Sequence, residues 1–430
     1  MSENNENKLV PKLRFPNYSE NWTVLPVSEM FEVFRGSPLS KIDLEENGTE
    51  PCIHYGELFT KYNEVILATY SKTNRKNGFR SVVGDVLMPS SDVTLTGLAK
   101  ASAIMLDNVI LGGDMNILRP QTDINSIFLS YLLNRSKREI IKLVSGTTVK
   151  HIYPSQIITC RLPIIKNSDE QQKIAACLSS LDEVIAGESQ KLELLKEHKK
   201  GLLQNLFPQD GETVPKLRFK EFVGNWKNVQ LGSLIEIKGR IGYRGYTTND
   251  IVEKGQGAIT FSPSNIDDNN QLNFNKATYI SWDKYFESPE IMLQDGYTVL
   301  VKTGSSFGKA VFIKNLPGKT TINPQLVVLK PININPKFLF LLVCNSAIQR
   351  QIKETVVGGA IPTLSQESIS RFEILIPPDK NKKEQEKIAD TLSSIDDLIN
   401  SQSQKIETLK LHKKGLLQGL FPPVKEDSNG

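Results

Sequence analysis

Two stretches of the chain gather cations, amides and aromatics at spacings suited to gripping a polyanion. Lys72, Asn74, Arg75, Lys76, Asn77 and Arg80 surround Phe79, while Lys238, Arg240, Tyr243, Arg244 and Tyr246 are set among Gly239, Gly242 and Gly245. Arginine can offer two parallel donors to guanine, asparagine can do the same for adenine, and glycine lets backbone approach a phosphate. Both stretches are candidate DNA-binding loops. Residue types alone do not separate a base contact from a phosphate contact, and a basic, aromatic loop also serves as ordinary solvated surface.

A second pair of polar loops follows short apolar runs: Ser90, Ser91, Thr94, Thr96 and Lys100 in one half, and Lys302, Thr303, Ser305, Ser306 and Lys309 in the other. These are further DNA-binding candidates. The segment from Gly304 to Lys309 superficially resembles a phosphate-binding P-loop, but only three residues separate Gly304 from Gly308, and Ala310 stands where a Ser or Thr is needed. A third pair, Gly146 to His151 and Gly358 to Thr363, either approaches DNA or turns the chain.

Catalytic constellations are not found. The double prolines Pro377-Pro378 and Pro422-Pro423 lack the neighbours of an adenine methyltransferase signature, and Asp210 and Glu212 near Lys216 read as a linker. His198 and His412 stand beside lysine pairs, and His54 and His151 have no Cys, Asp or Glu at ligand spacing, so no metal site is expected. Cys52, Cys160, Cys177 and Cys344 contain no CxxC pair and read as reduced, buried thiols. There is no apolar run long enough for a membrane span, and the opening MSENNENK is not a secretory signal, so the expected location is cytoplasmic. A net charge of +4 over 430 residues leaves nucleic-acid binding to local clusters.

The elements that must position these loops occur twice. Glu170 to Pro208 and Glu384 to Pro422 align without a gap and agree at two-thirds of positions; VPKLRF at Val10 to Phe15 returns at Val214 to Phe219, followed by Asn21-Trp22 and Asn225-Trp226. A repeat of about 200 residues is far longer than a solenoid unit, so each copy should hold its own core. Between the repeated segments the halves share a skeleton. Gly84 to Met88 parallels Tyr297 to Val301 as a buried strand, and Asn116 to Pro120 parallels Val327 to Pro331 as a strand stopped by proline. Asn125 and Asn335 then cap helices that run on to Gly146 or Gly358. The fold class is α+β. Different loops on one scaffold suggest two readers with different targets.

In the repeated segments Ile174, Leu178, Leu181, Ile185, Leu192, Leu195, Leu202 and Leu206 form a heptad seam interrupted at Glu188 and Lys199. The second copy matches at Ile388, Leu392, Ile395, Ile399, Ile406, Leu409, Leu416 and Leu420, with interruptions at Gln402 and Lys413. Each predicts a helix of about 37 residues, roughly 55 Å long, ending before Pro208 or Pro422. The two seams should pair antiparallel, with a globule near each end. Periodicity alone suits a generic dimerisation coil equally well. Identity off the seam, as in the HKKGLLQ strings at His198 to Gln204 and His412 to Gln418, suggests that each helix offers one surface to a second copy of a single partner.

The paired EQxKIAxxLSSxDxxI and HKKGLLQxLFP helices, each preceded by a proline-ended strand at Leu162-Pro163 or Ile376-Pro377, together with the VPKLRF and Asn-Trp openings, resemble the specificity subunit of type I restriction-modification systems. The resemblance covers nearly the whole chain. It implies a first target recognition domain over 1–165, a central long helix over 166–208, a linker and second target recognition domain over 209–379, and a distal long helix over 380–422. Residues 423–430 are expected to be a disordered tail. It further implies that each domain docks in the major groove of double-stranded DNA, that two methyltransferase subunits bind the scaffold, and that restriction subunits join them. S-adenosylmethionine would be bound by the methyltransferase partners, leaving this chain without cofactor or catalytic residue. A relative serving a combined restriction-methylation enzyme, and a non-DNA coiled-coil adaptor, are the alternatives.

Overall fold

The computed structural model describes residues 9–267, 270, 272–275, 277–355, 363–378, 380 and 382–423, apart from the Tyr243 side chain. Its contacts divide the chain into two compact units, Met1–Lys191 with Gln402–Gly430, and Leu192–Ser401.

In the first unit, the apolar run Val86–Pro89 is buried throughout and forms an interior strand of a five-stranded sheet. It pairs antiparallel with Met115–Pro120, which pairs in turn with Phe31–Arg35 at the edge. Pro120 ends the middle strand, as a residue without an N–H should. Asn125 then caps helix Ser126–Arg135, its side-chain oxygen accepting from Phe128 N at 2.9 Å, and the helix buries Phe128, Leu129, Tyr131, Leu132 and Leu133. That helix stops earlier than expected. The backbone breaks at Ser136, a new helix covers Lys137–Lys142, and Gly146 makes a turn with φ of 101°. Strand Arg161–Ile164 pairs with Thr23–Pro26 and leads into the first long helix, Ser168–Asn205.

The second unit repeats this frame. Strand Thr298–Val301 pairs antiparallel with Leu326–Pro331, which pairs with Ile235–Gly239. Asn335 caps helix Pro336–Cys344 by accepting from Phe338 N at 3.0 Å. Lys227–Gln230 pairs with Glu373–Ile376, and the chain enters the second long helix, Lys383–Leu420. A second four-stranded sheet, running from Ile251–Val252 through Thr278–Ser281 and Gly257–Phe261 to Thr320–Ile322, has no four-stranded counterpart among the described residues of the first unit.

Each unit completes its core with the end of a long helix. Trp22, Phe128 and Phe421 meet at centroid distances of 5.4 to 6.0 Å in the first. Phe207, Trp226 and Phe338 meet at 5.5 to 5.9 Å in the second. Both triads have offset or edge geometries favourable to aromatic quadrupoles. The first long helix therefore ends at Asn205, short of Pro208, because Leu206 and Phe207 turn into this core.

The long helices pair antiparallel, and the polar residues on their seams set the register. Within the first unit Gln402 Nε2 donates to both the backbone oxygen (2.9 Å) and Oε2 (2.6 Å) of Glu188, and Lys413 meets Asp182 at 2.7 Å. Within the second unit Lys199 meets Asp396 at 2.6 Å, the pair equivalent to Lys413 and Asp182. A polar group at a seam position penalises every register except the one that partners it. Ile174, Leu178, Ile388, Leu392, Ile395, Ile406, Leu206 and Leu420 are buried; Leu181, Ile185, Leu192, Leu195, Leu202, Ile399, Leu409 and Leu416 are half-buried.

Candidate nucleic-acid interface

Geometry sorts the basic residues by what their donors already hold. In the first unit, Arg75 Nε donates to Asp43 at 2.9 Å and its Nη1 to the Pro38 carbonyl at 2.8 Å, while Arg80 is bound by Glu50 at 2.8 Å and by the Asn108 carbonyl at 3.0 Å. Asn74 holds Glu45 and accepts from Thr49 N at 3.3 Å. These three brace the loop. Asn74 and Arg75 are nonetheless exposed, as are Lys72, Lys76 and Asn77.

Ser90 is 2% exposed, and its hydroxyl has no hydrogen-bond partner among the described residues. Ser91 pairs with His151 in a two-stranded ladder. Thr94 donates to Asp92 at 2.6 Å and accepts from Gly97 N, capping a single turn in which Thr96 is exposed. Lys100 points inward, donating to the Tyr62 carbonyl at 2.5 Å, and burial holds its pKa below the ordinary lysine value.

In the second unit Arg240 is buried, donating to the Ile322 carbonyl at 3.0 Å and to Thr321 Oγ1 at 3.2 Å over the ring of Tyr246. Burial lowers the Arg240 pKa and raises that of Tyr246. Arg244 is held by Glu290 and the Glu287 carbonyl, and Lys238 by Glu236 at 3.1 Å. The Tyr243 side chain lies outside the described residues, as do Gly358 to Pro362.

Gly304 and Gly308, with φ of 105° and 82°, build a hairpin loop closed by Gly308 N donating to the Val301 carbonyl at 3.0 Å. The loop joins strand Thr298–Val301 to strand Ala310–Phe312. A P-loop would instead open a helix, so the local topology agrees with the failed spacing. Ser305 is exposed, while Ser306, Thr303 and Lys309 are half-buried; Thr303 bridges Thr363. Lys302 is half-buried at the foot of this loop.

Sequence reasoning missed Arg35, Asn116 and Tyr153. Arg35 lies 5.9 Å over the Tyr153 ring, which stacks on His151 at 6.0 Å and 14°. Asn116 is fully buried, donating to the Ile152 carbonyl at 3.0 Å. Only the strand pairing brings these distant segments together, so no local motif could announce them. Beside Arg35 an open cavity is lined by Pro38, Lys41, His54, Tyr55 and Asp114.

Among the described residues no group of His, Cys, Asp and Glu could hold a metal ion, and no helix is long and apolar enough to cross a membrane. The four cysteines are free thiols; Cys52 and Cys160 are buried and pushed up to about 11 by that burial, whereas Cys177 and Cys344, expected to be buried, are only half-buried.

The model of the type I restriction modification DNA specificity domain matches twice, over residues 19–197 and 224–411. The chain belongs to this family. Both matches cover one domain and most of the long helix that follows it. Among similar proteins is the type I restriction enzyme MjaVIII specificity subunit of Methanocaldococcus jannaschii, 21% identical over 95% of this chain and 93% of that protein. The MjaIX specificity subunit of the same organism is 24% identical, over 93% of each chain. The S subunit of a type I restriction-modification system from M. genitalium shares the fold, with a TM-score of 0.62, 16% identity, and coverage of 96% of this chain and 100% of that one. Family membership thus matches the resemblance carried by the repeated helices and the VPKLRF openings.

Proposed function

We propose that this chain is the non-catalytic, sequence-reading subunit of a type I restriction-modification complex, each domain reading one part of an asymmetric DNA site. The observation that carries the reading is the doubled frame. Trp22 and Trp226, Asn125 and Asn335, Gln171 and Gln385, and the aromatic triads recur in place, while the outward residues differ. One fold held constant under two different surfaces is what two half-site readers require.

Two methyltransferase subunits are proposed to dock on the repeated faces of the long helices, and restriction subunits to join them. Exposed Gln190, Lys191, His198, Lys200 and Gln204 recur as exposed Gln404, Lys405, His412, Lys414 and Gln418, so one partner surface could be used twice. One solved relative comes from work on complex assembly in a type I system, with a TM-score of 0.55. S-adenosylmethionine would be bound by the methyltransferase subunits. Helix length is proposed to fix the unread interval between the half-sites.

Long-read methylation mapping tests this directly. DNA from cells carrying this chain with its methyltransferase subunit should show a new two-part asymmetric motif that is absent with that subunit alone. A confirmed complex that produces no new motif would overturn the reading.

A further inference from the structure

The two domains share one backbone node but supply its positive charge from different strands. In the first, strand Phe31–Arg35 ends at Arg35 opposite Asn116, and Ile152 N donates to the Ser90 carbonyl at 3.1 Å where strand Val86–Pro89 leaves the sheet. In the second, strand Ile235–Gly239 ends at Gly239 opposite Val327, and Leu364 N donates to the Lys302 carbonyl at 2.9 Å where Thr298–Val301 leaves. The adjoining bridges correspond as well, Ser91 with His151 and Thr303 with Thr363. Arg35 is therefore equivalent to Gly239, and Ser90 to Lys302.

The exchange is compensatory. A Cβ placed on Gly239 would lie 3.6 Å from Lys302 Nζ, so the ammonium stands over the strand end where the first domain has its arginine. Conversely, the first domain has only a serine where the second has its lysine. Position and sign of charge are kept while the chemical group changes.

Most arginines nearby hold internal partners: Arg75, Arg80 and Arg119 in the first domain, Arg240 and Arg244 in the second. Among the described residues Arg35 and Lys302 have no ion-pair partner. Exposed Lys72 and Lys76 are also unpaired, but they lie on a loop rather than at the shared node. The Arg35 guanidinium carbon lies 5.9 Å from the Tyr153 ring centre and the residue is exposed, so its donors are open to a ligand. Half-burial of Lys302 disfavours its charge, and two acceptors on a bound base would offset that cost.

We infer that Arg35 and Lys302, from non-equivalent positions at the same node, are specificity-determining residues, each reading the O6 and N7 acceptors of a guanine in its own half-site. This rests on the proposed function. Arginine or lysine on guanine is the commonest specific contact in the major groove.

The test uses the full chain with its methyltransferase subunit, comparing wild type, Arg35→Ala, Lys302→Ala, and the milder Arg35→Gln and Lys302→Gln, by methylation mapping and by DNA binding across a salt series. Expected for Arg35→Ala is a loss of about 10- to 100-fold in preference for one guanine of the first half-site, with the second half-site unchanged. Lys302→Ala should do the reverse. The milder variants keep the test decisive should an alanine form fail to fold. An unchanged motif in folded variants overturns the inference. So does weakening that is uniform over all sequences with a shallower salt dependence, since that marks phosphate contacts. Wild type that forms the complex yet writes no motif defeats the underlying reading instead, which separates the two failures.

Discussion

Arg14 and Glu170 meet through two parallel hydrogen bonds, Nε to Oε1 at 2.8 Å and Nη2 to Oε2 at 2.7 Å, with the Glu170 side chain only 1% exposed. This ties the opening segment to the first turn of the long helix, and Arg218 holds Glu384 in the same way in the second unit. Removing one partner leaves a buried charge without compensation. Arg14→Ala should cost about 3–5 kcal/mol, whereas replacing both residues with apolar ones of similar volume should cost much less. Urea midpoints for the single and double variants check this.

Phe421→Ala and Phe207→Ala should each destabilise the chain by about 3–5 kcal/mol, because each empties an aromatic triad that side chains around it cannot refill. Truncating the exposed Leu411, 68% accessible on the second long helix, should change stability by less than about 0.5 kcal/mol. Denaturation curves compared at one temperature would separate the two classes.

His54 gives a pH dependence with a definite sign. Burial lowers its pKa below the ordinary 6.5, and Nδ1 accepts from Gly56 N at 3.1 Å, which requires that nitrogen unprotonated. The unfolded chain takes up its proton near the ordinary value, so the neutral side chain's contribution is fully present above about pH 6.5 and is lost as pH falls below it toward the folded pKa. His54→Gln should flatten the slope of stability against pH below about pH 6.5 relative to wild type.

Gly201 and Gly415 occupy equivalent positions on the long helices, and a Cβ at either would meet nothing within 4 Å. Alanine there should stabilise the isolated chain by up to about 1 kcal/mol per site. If methyltransferase subunits dock on this face, the same substitutions should weaken assembly. Thermal unfolding together with a pull-down of the methyltransferase subunit reads both effects; tighter folding with undiminished assembly would remove this face from the docking surface.

The frame was legible in the sequence because it rests on local rules. Proline stops at Pro120 and Pro331, asparagine caps at Asn125 and Asn335, and the heptads with their polar interruptions each leave a mark at fixed spacing. The candidate surface was legible only in part. Arg75, Arg80 and Arg240 look from the chain like free cations, yet their partners Asp43, Glu50 and the Ile322 carbonyl come from distant segments. Arg35 was invisible for the converse reason: nothing near it in sequence supplies the Tyr153 ring on which it lies. Neither is recoverable from periodicity, since both depend on which loops the sheet gathers at one end.

The placement of Phe421 beside Trp22 also bears on how the chain is made. The first core to leave the ribosome lacks an aromatic wall that is translated only after the second domain, so it must persist in an unfinished state while that domain is synthesised. Contacts spanning nearly the whole chain close slowly, and the exposed apolar surface meanwhile invites aggregation. The second core suffers no such delay, because Phe207 precedes Trp226 and is present when that domain emerges. The two halves, alike when finished, mature in opposite order from the one in which they are born.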